Sequence, residues 1–490
     1  MTTLLSILLA AAAWITSPSS NRLMEEQVAQ DMATGSTASQ CLTLDIATEY
    51  QTIDGFGWMV TEGSAKLMKG IHKNYRAELI EDLYSVENGL GAQIVRVAIG
   101  ACDLSESDYT YSMTKDETLA NFSFAGPDAD YLIPVLKEIK AVNPNIKIMA
   151  VPWTAPIWMK TNNSYVGGEL KTQYYALYAQ YFVKYLQAMD AEGLPVWAIT
   201  PQNEPLHGGN NPSMTFTQET EFNFVENFLG PALQAAGYGH VKIIGYDHNC
   251  DNKAFPVRVA QSQYCDGSAF HLYNGTIDAL SFVYNRTGKD VYFTEQYTGD
   301  GDFQGDFSWH MQNVMLGSML NMSRCAIEWN LASDAQLGPH TDGGCTTCKG
   351  AVTIGTKVTS KNASYYIVAA MAKVCRTGAK RIAVSGASDF MATAWHNPDG
   401  SIGVVAYNKA GSGRQFSVKL GNEHVTYTVP AGGTVSILLP EVADPFDTAL
   451  NPTAQAVALD PTKPMYTLLG QPVDEDYHGL VIQGGRKYMK

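Results

Sequence analysis

The chain has 490 residues, of which 33 are basic, and a formal net charge of −15. This acidic excess argues against nucleic acid or an anionic membrane surface as a partner and suits a neutral substrate. Hydrophobic residues make up 45% of the chain and charged residues 17%, so the chain can build a large core and is not disordered overall.

The first part of the chain is apolar over residues 4–15 and polar from Ser17 onward. This run is too short to span a bilayer as a helix and has the length of the apolar part of a secretion signal. No Lys or Arg precedes it, so the signal is incomplete or atypical. We predict a secretory or lipoprotein-type leader over residues 1–20, with a leader of no function as the alternative. The expected location is outside the cell, in the periplasm or at the surface of a bacterium.

From residue 54, short apolar runs alternate with helical patterns. Eight runs predict strands, at 55–60, 93–99, 147–153, 197–202, 241–246, 268–272, 291–295 and 324–329. Helical patterns lie between them, for example at 128–142, 171–192, 217–236 and 309–321. Eight repeats of strand and helix are typical of an α/β fold of the (β/α)8 TIM-barrel class, here predicted over residues 54–380. A doubly wound sheet is the competing interpretation, but no Gly-rich phosphate turn follows the first strand.

After about residue 381 the pattern changes to the two-residue alternation of antiparallel strands, punctuated by Gly, Asn and Pro. These strands predict a small β-sandwich over residues 381–440. Residues 41–53 alternate in the same way, so an N-terminal strand is expected to join the sandwich. Residues 441–464 are rich in Pro, Ala and Asp and predict a linker, and residues 465–490 form a C-terminal tail. No later segment is long and apolar enough to span a membrane.

Eight cysteines are too few for a disulfide scaffold in a chain of this length. Cys345 and Cys348 lie three residues apart on a Gly-rich loop, which favours a local disulfide or two free thiols. Half of a zinc site is the alternative, but no second pair of ligands completes it. We expect neither a metal nor another cofactor.

Two glutamates stand at the ends of predicted strands: Glu204 after the fourth and Glu295 at the end of the seventh. The carboxyl ends of barrel strands meet on one face, where the active site of this fold lies. Two carboxylic acids on that face point to the acid and nucleophile of a retaining glycosidase. Other strand ends contribute the candidate substrate-binding residues Arg96, Asp103, Trp153, Asn203, His271, Tyr273, Trp329 and Asn330.

The chemistry of a retaining glycosidase assigns a role to each group. Glu204, beside Asn203 and a proline, is expected to be the acid/base, and Glu295 the nucleophile. Asn203 is placed to bond the 2-hydroxyl of the sugar. Arg96, His271 and Tyr273 are expected to keep Glu295 ionised, and Trp153 and Trp329 to form the stacking floor.

Several of these residues also have structural interpretations. Asp103 could form a buried ion pair with Arg96, and His271 could be a histidine of the core. Glu328 is expected to support the site through hydrogen bonds rather than act as a third acid. A sugar-binding protein without catalysis is the rival from another class. It would keep the aromatic residues and lose a glutamate, and this chain has both.

Several motifs in order resemble glycoside hydrolase family 30. They are Asn-Glu-Pro at 203–205, Phe-Thr-Glu-Gln at 293–296, Cys-Asp-Leu-Ser at 102–105, Pro-Trp-Thr-Ala-Pro-Ile-Trp at 152–158 and Glu-Trp-Asn-Leu at 328–331. The resemblance covers residues 55–439 and implies a (β/α)8 barrel with a fused β-sandwich, retaining hydrolysis without a metal, the same two glutamates in the same roles, and the same eight substrate-binding positions.

The stretch 202–213 and the loop 338–350 look most like those of the bacterial β-1,6-glucanase branch of the family. The expected activity is therefore endo-β-1,6-glucanase, with a β-glucan or glucoside as the carbohydrate substrate. Glucosylceramidase and exo-acting β-glucosidase or β-xylosidase are the alternatives within the family. The sequence predicts no oligomeric state.

Overall fold

The computed structural model describes residues 10–124, 126–440, 472–473, 480–483 and 486–489. The strands, in chain order, are β1 Ala12–Ser17, β2 Arg22–Glu26, β3 Ala33–Thr34, β4 Gln40–Thr52, β5 Gly55–Met59, β6 Ile94–Ala98, β7 Lys147–Val151, β8 Ala198–Ile199, β9 Lys242–Cys250, β10 Cys265–Gly275, β11 Asp290–Glu295, β12 Ser323–Asn330, β13 Ala332–Ser333, β14 Val352–Ile354, β15 Val358–Lys361, β16 Lys380–Gly386, β17 Phe390–His396, β18 Ile402–Asn408, β19 Arg414–Leu420, β20 Glu423–Val429, β21 Thr434–Leu439, β22 Leu480–Gln483 and β23 Arg486–Met489.

The helices, in chain order, are α1 Glu62–Gly70, α2 Lys73–Tyr84, α3 Ile133–Val142, α4 Tyr175–Ala191, α5 Gln218–Phe224, α6 Gly230–Ala235, α7 Ala254–Val259, α8 Asp278–Thr287, α9 Phe303–His310, α10 Leu316–Leu320 and α11 Ala363–Ala372. Three π-helical turns adjoin these helices, at Asp128–Leu132 before α3, at Val225–Leu229 between α5 and α6, and at Met311–Met315 between α9 and α10. Among the described residues, no helix is long and apolar enough to cross a membrane.

Strands β5 to β12 form a closed parallel barrel, which confirms the predicted fold class and all eight barrel strands. The barrel closes where β12 pairs with β5, with Ile327 opposite Gly57. A Cβ atom on Gly57 would lie 1.8 Å from the carbonyl oxygen of Ile94, so β5 requires glycine at this close approach. Buried side chains of the other strands fill the interior: Ile94, Met149, Ala198, Ile244, Ala269, Tyr292, Cys325 and Ile327.

The second part of the fold is a ten-stranded sheet, which gives the predicted β-sandwich. Its strand order is β2-β1-β21-β18-β17-β16-β4-β19-β20-β3. The long N-terminal strand β4 pairs antiparallel with β16 and parallel with β19, so the N-terminal and C-terminal parts of the chain share this sheet, as predicted. The sheet packs on the barrel through α11, where the Ser436 hydroxyl donates to the Ala370 carbonyl at 2.6 Å.

The N-terminal segment differs from the prediction. Residues 12–17 lie in the second half of the predicted leader, but they form β1, which pairs antiparallel with β21. Ala11, Ala13 and Ile15 are buried on one face of this strand. A short apolar run has the same composition in a strand and in a signal, so the apolar pattern alone did not predict this strand.

After residue 440 the structure describes only residues 472–473, 480–483 and 486–489. Strands β22 and β23 pair antiparallel in the predicted tail. The predicted linker at 441–464 lies outside the described residues.

We predict that Ile15→Ala lowers the free energy of unfolding by about 2–4 kcal/mol, because it leaves a cavity where a fully buried side chain packs in β1. Urea unfolding of the purified protein measures this change. Val28→Ala is the matched control, because Val28 is 89% exposed and its truncation leaves no cavity. Equal stability of the two variants would show that β1 is not part of the folded core.

Candidate active site

The two glutamates meet at the carboxyl ends of the barrel strands. Glu295 ends β11, and Glu204 lies in the loop after β8, where its amide donates to the Asp247 carbonyl at 3.0 Å. One carboxylate oxygen of each glutamate and one ring nitrogen of His271 all lie within 4.8 Å of one another. The structure therefore brings the predicted pair of carboxylic acids to one place.

The backbone at this place is strained. Glu204 has φ of 45°, and Tyr246 and Asp247 on the adjacent β9 have φ of 76° and 51°. Residues with a side chain rarely adopt this left-handed region, and the cost is about 1–3 kcal/mol for each. Such strain persists only where the surrounding structure fixes it, and here it falls on the residues that carry or flank the carboxylates.

Glu295 is held at both oxygens. The Arg96 Nη1 donates to Oε2 at 2.5 Å, and the Tyr273 hydroxyl donates to Oε1 at 3.0 Å. Glu295 is only 5% exposed, so the water that reaches it is limited. These contacts fix the orientation of the carboxylate and place three predicted site residues in direct contact.

Arg96 is fully buried and joins several groups of the site. Its Nη2 donates to the Asn203 Oδ1 at 2.7 Å and to the Asp247 Oδ2 at 2.9 Å. Burial lowers the pKa of Arg96, but the attraction of Asp247 and Glu295 outweighs it and raises the pKa above its ordinary value. The Asn203 Oδ1 faces Arg96, so the amide presents its Nδ2 group as a donor to other partners.

Asp247 is a site residue that the sequence prediction missed. Thr200 and Thr294 donate hydroxyl hydrogen bonds to its carboxylate at 2.7 and 2.6 Å, in addition to the bond from Arg96. Burial raises the pKa of Asp247, but Arg96 and His271 lower it well below the ordinary value. The predicted strand ended at Tyr246, one residue earlier. An acid that continues an apolar strand was the signal that could have identified it.

His271 connects the two acidic sides of the site. Its Nε2 lies 3.1 Å from the Asp247 Oδ1, and its Nδ1 lies 3.1 Å from the Glu204 Oε1. Burial lowers the pKa of His271, but the attraction of Glu295 and the bonds to Asp247 and Glu204 raise it to about 10. The imidazole is thus an imidazolium at neutral pH, with an N–H directed to each side.

Glu204 lies beside two imidazoles. The His248 Nδ1 is 3.7 Å from its Oε1, and the His271 Nδ1 is 3.1 Å away. Burial raises the pKa of Glu204, but the hydrogen bonds and charges of the two histidines lower it below its usual range. His248, like Asp247, comes from β9, a strand from which the sequence prediction took no site residue.

Two tryptophans, the predicted stacking floor, lie against the charged cluster. The rings of Trp153 and Trp329 have centroids 5.4 Å apart, and Arg96 lies 5.1 and 5.9 Å from them. The two side chains are 2% and 3% exposed. The Trp153 Nε1 is buried without a hydrogen-bond partner among the described residues, which leaves a donor available to a ligand.

Asp103 is buried near the glutamates and does not form the ion pair with Arg96 that was one of its two interpretations. Arg96 bonds instead to Asp247 and Glu295. Burial and the charge of Glu295 raise the pKa of Asp103 to about 7. Its Oδ1 has no hydrogen-bond partner within the described part of the chain. A buried carboxyl oxygen without a partner can accept a hydrogen bond from a sugar hydroxyl.

Two groups of β12 are committed elsewhere. The Asn330 Oδ1 accepts hydrogen bonds from the Ser64 hydroxyl at 2.7 Å and the Thr61 hydroxyl at 3.2 Å, so its oxygen fixes the start of α1. The Glu328 Oε1 bonds to the His310 Nδ1 of α9 at 2.8 Å, on the helix side of the strand. Glu328 therefore supports the barrel wall rather than the reacting groups.

The loop over residues 338–350 borders the tryptophan pair. Cys345 and Cys348 form a disulfide, one of the two predicted states, and both pack against the cluster that contains Trp153 and Trp329. The Thr341 amide donates to the Asp103 carbonyl at 2.9 Å, which ties this loop to the site.

The distances alone would allow Glu204, His271 and Glu295 to surround a metal ion. However, both ring nitrogens of His271 already face carboxylates, and Arg96 supplies a buried positive charge. The donor set therefore fits an ion-pair network better than a metal site.

Comparisons with known proteins match this architecture. The model of the glycosyl hydrolase family 30 TIM-barrel domain matches residues 53–375, and that of the family 30 beta sandwich domain matches residues 378–437. Endo-1,6-beta-D-glucanase neg1 of Aspergillus fumigatus is 33% identical over 81% of this chain and 85% of its own length. Endo-1,6-beta-D-glucanase BGN16.3 of Trichoderma harzianum is 33% identical over 80% and 85%. The solved structure titled "The endo-beta1,6-glucanase BT3312" aligns with a TM-score of 0.84 at 33% identity, over 88% of this chain and 100% of its own.

The raised pKa of His271 predicts how stability depends on pH. The unfolded histidine releases its proton near its ordinary pKa of about 6.5, whereas the folded one keeps it to about 10. This contribution is fully present below about pH 6.5 and is lost as the pH rises toward 10, by at most about 1.4 kcal/mol for each pH unit. We expect the unfolding free energy of the wild type to decline more steeply between pH 7 and 10 than that of His271→Asn. Parallel profiles from urea titrations would contradict this.

Proposed function

Because the chain belongs to glycoside hydrolase family 30 and is a glycoside hydrolase, we propose that it cleaves β-1,6-linked glucan internally, by double displacement at Glu204 and Glu295. The observation that carries the proposal is the approach of the two carboxylates within 4.8 Å. Retaining enzymes separate these groups by about 5–5.5 Å, whereas inverting enzymes leave about 6.5–9.5 Å for a water molecule. The glucan linkage is supported by the two fungal relatives and the solved endo-beta1,6-glucanase structure named above.

In the first step, the Glu295 carboxylate attacks the anomeric carbon, and the bond from that carbon to the glycosidic oxygen breaks. Glu204 gives its proton to the departing oxygen, so the leaving sugar departs as a neutral alcohol. The product is a glycosyl ester of Glu295. Arg96 and Tyr273, which bond its two oxygens, aim the carboxylate at the sugar.

The lowered pKa of Glu204 is compatible with this role. Burial is the largest influence on this carboxyl, and it raises the pKa. A bound sugar that covers Glu204 adds to the burial and moves the carboxyl toward the protonated form. Substrate binding therefore favours the protonated form of Glu204 that the first step requires.

In the second step, Glu204 removes a proton from water, and the oxygen of that water attacks the anomeric carbon. The ester bond to Glu295 breaks, and the sugar leaves with its original configuration. Asn203 offers its Nδ2 group to the 2-hydroxyl, because Arg96 occupies its oxygen. Asp103 and the Trp153 Nε1 are proposed to bond further hydroxyls of the sugar. The tryptophan rings are proposed to form the floor on which the sugar stacks. Asn330 remains a proposed contact only through its Nδ2 group.

An oxidising compartment suits this enzyme. The Cys345–Cys348 disulfide persists outside the reducing cytosol, and a polymeric glucan is met outside the cell. We therefore propose an extracytoplasmic location.

The acid/base role of Glu204 predicts a dependence on the leaving group. Glu204→Ala should reduce kcat/KM for gentio-oligosaccharides by 10³-fold or more, because the departing alcohol needs a proton. Substrates with activated aryl leaving groups should lose far less, since they depart as anions. Glu295→Gln should abolish turnover of both classes, and it serves as the comparison. Steady-state kinetics on a leaving-group series measures the difference, and a uniform loss across the series would contradict the assignment.

Endo action predicts the early products. Hydrolysis of a β-1,6-glucan should release a mixture of gentio-oligosaccharides before glucose, with each new reducing end first formed as the β-anomer. Chromatography at low conversion and NMR of the fresh reducing ends measure the two properties. Glucose as the sole early product would instead assign exo action.

A further inference from the structure

A second pair of aromatic rings lies at the mouth of the site. Tyr273 and Tyr297 have ring centroids 5.8 Å apart and an interplanar angle of 35°. They are 38% and 37% exposed, in contrast with the buried pair Trp153 and Trp329. Tyr297 was not among the predicted site residues, although it lies two positions after the nucleophile. Large aromatic surfaces left open beside a reacting group mark a place where a ligand packs.

Tyr297 is held in place by the residues on either side. Gln296 and Thr298 are buried, at 7% and 2% exposure. The Gln296 carbonyl accepts the Trp329 amide at 2.8 Å, and the Thr298 carbonyl accepts the Lys349 amide at 2.9 Å. The exposed ring therefore stands on a fixed backbone, which reduces the entropy lost when a ligand stacks on it.

The Tyr273 hydroxyl contacts the Glu295 oxygen that lies nearer to His271 and the acid/base. Of the two oxygens of Glu295, Oε2 bonds Arg96, while Oε1 accepts the hydrogen bond of the Tyr273 hydroxyl. The same Oε1 lies 3.7 Å from the His271 Nδ1, which is 3.1 Å from the Glu204 Oε1. The leaving group departs toward Glu204, because Glu204 protonates it. The Tyr273 hydroxyl is thus on the side of the departing sugar, and the exposed Tyr297 ring packs against Tyr273.

We propose that Tyr297, with Tyr273 beside it, is the stacking platform for the first glucosyl unit on the leaving-group side of the cleaved bond. The inference rests on the proposed function and deepens it. A glucosyl ring presents C–H groups on its faces, and these pack on the face of a tyrosine.

The chemistry of the linkage explains why such a platform is needed. A 1,6 bond joins the rings through an exocyclic CH₂ group and so has one rotatable bond more than a linkage to a ring carbon. The departing ring therefore samples more orientations, and the glycosidic oxygen is less often directed toward Glu204. A platform that holds the ring restores that alignment.

The test uses β-glucosyl fluoride as the donor, because fluoride has no ring to stack. For Tyr297→Ala, the ratio of kcat/KM for gentiotetraose to that for the fluoride should fall about tenfold. Transfer from the fluoride to added gentiobiose, relative to hydrolysis, should fall by a similar factor, because the acceptor must occupy the leaving-group side. Tyr297→Phe keeps the ring and should stay within about twofold of the wild type in both ratios.

Tyr75→Ala is the matched control. Tyr75 lies on α2, away from the site, and is similarly exposed at 44%, so both ratios should stay at the wild-type value. Unchanged ratios in Tyr297→Ala, or a wild type that transfers nothing to gentiobiose, would overturn the platform. A wild type that turns over the fluoride but not β-1,6-glucan would instead overturn the proposed substrate. Failure of the substrate therefore shows in glucan hydrolysis by the wild type, and failure of the platform shows in the two ratios of the variant.

Discussion

The site depends on one buried cation. Arg96 lies between Asp247 and Glu295 with no exposed surface and also bonds the amide of Asn203. A buried charge is costly unless it is fully paired, and removing one partner of such a pair costs several kcal/mol. The second cation, the His271 imidazolium, links Asp247 to Glu204. The two positive charges thus balance most of the negative charge of Asp247, Glu204 and Glu295. These carboxylates would otherwise repel one another, and the balance allows them to lie side by side.

The position of this network follows from the barrel. Strands β6, β9, β10 and β11 and the loop after β8 contribute the polar groups, and the parallel register brings them to one face. Below them, the interior is filled by apolar side chains and by the close contact at Gly57. The charged layer therefore rests on a dry floor, where electrostatic interactions are stronger than in water. The disulfide loop and the tryptophan pair complete the border of this layer.

Much of the fold could be predicted because its periodicity is local. Apolar runs of strand length between helical patterns located all eight barrel strands, and two-residue alternation located β17 to β21 but not β16. The N-terminal strand β1 was not predicted, because a run of apolar residues has the same composition in a signal and in a strand. Its partner, β21, lies at the other end of the sheet-forming sequence, and no local pattern contains that pairing.

The site was predicted less completely, for a related reason. Glu204 and Glu295 could be found because each ends an apolar run. The other candidate site residues could be found because they lie at the ends of the other predicted strands. Asp247 and His248 extend β9 beyond the point where the apolar pattern stops, so a pattern-based boundary excluded them. Whether Asp103 would pair with Arg96 depended on which of several acids lay closest, and sequence order does not determine that distance. Tyr297 could not be identified from the sequence, because the exposure of its ring depends on how the loop after β11 packs.

The pairing of β1 with β21 has a consequence for biosynthesis. Ala12 lies opposite Leu438, so the ribosome must add roughly 400 residues after the first strand before the second exists. Strand β1 can pair early with β2, but at about 5–20 residues per second the edge that later meets β21 stays unpaired for tens of seconds. The barrel strands, whose neighbours are consecutive, can assemble during that interval. The sandwich can thus close only after the barrel strands have been made, and the open edges of its N-terminal strands are the segment most in need of protection from aggregation during synthesis.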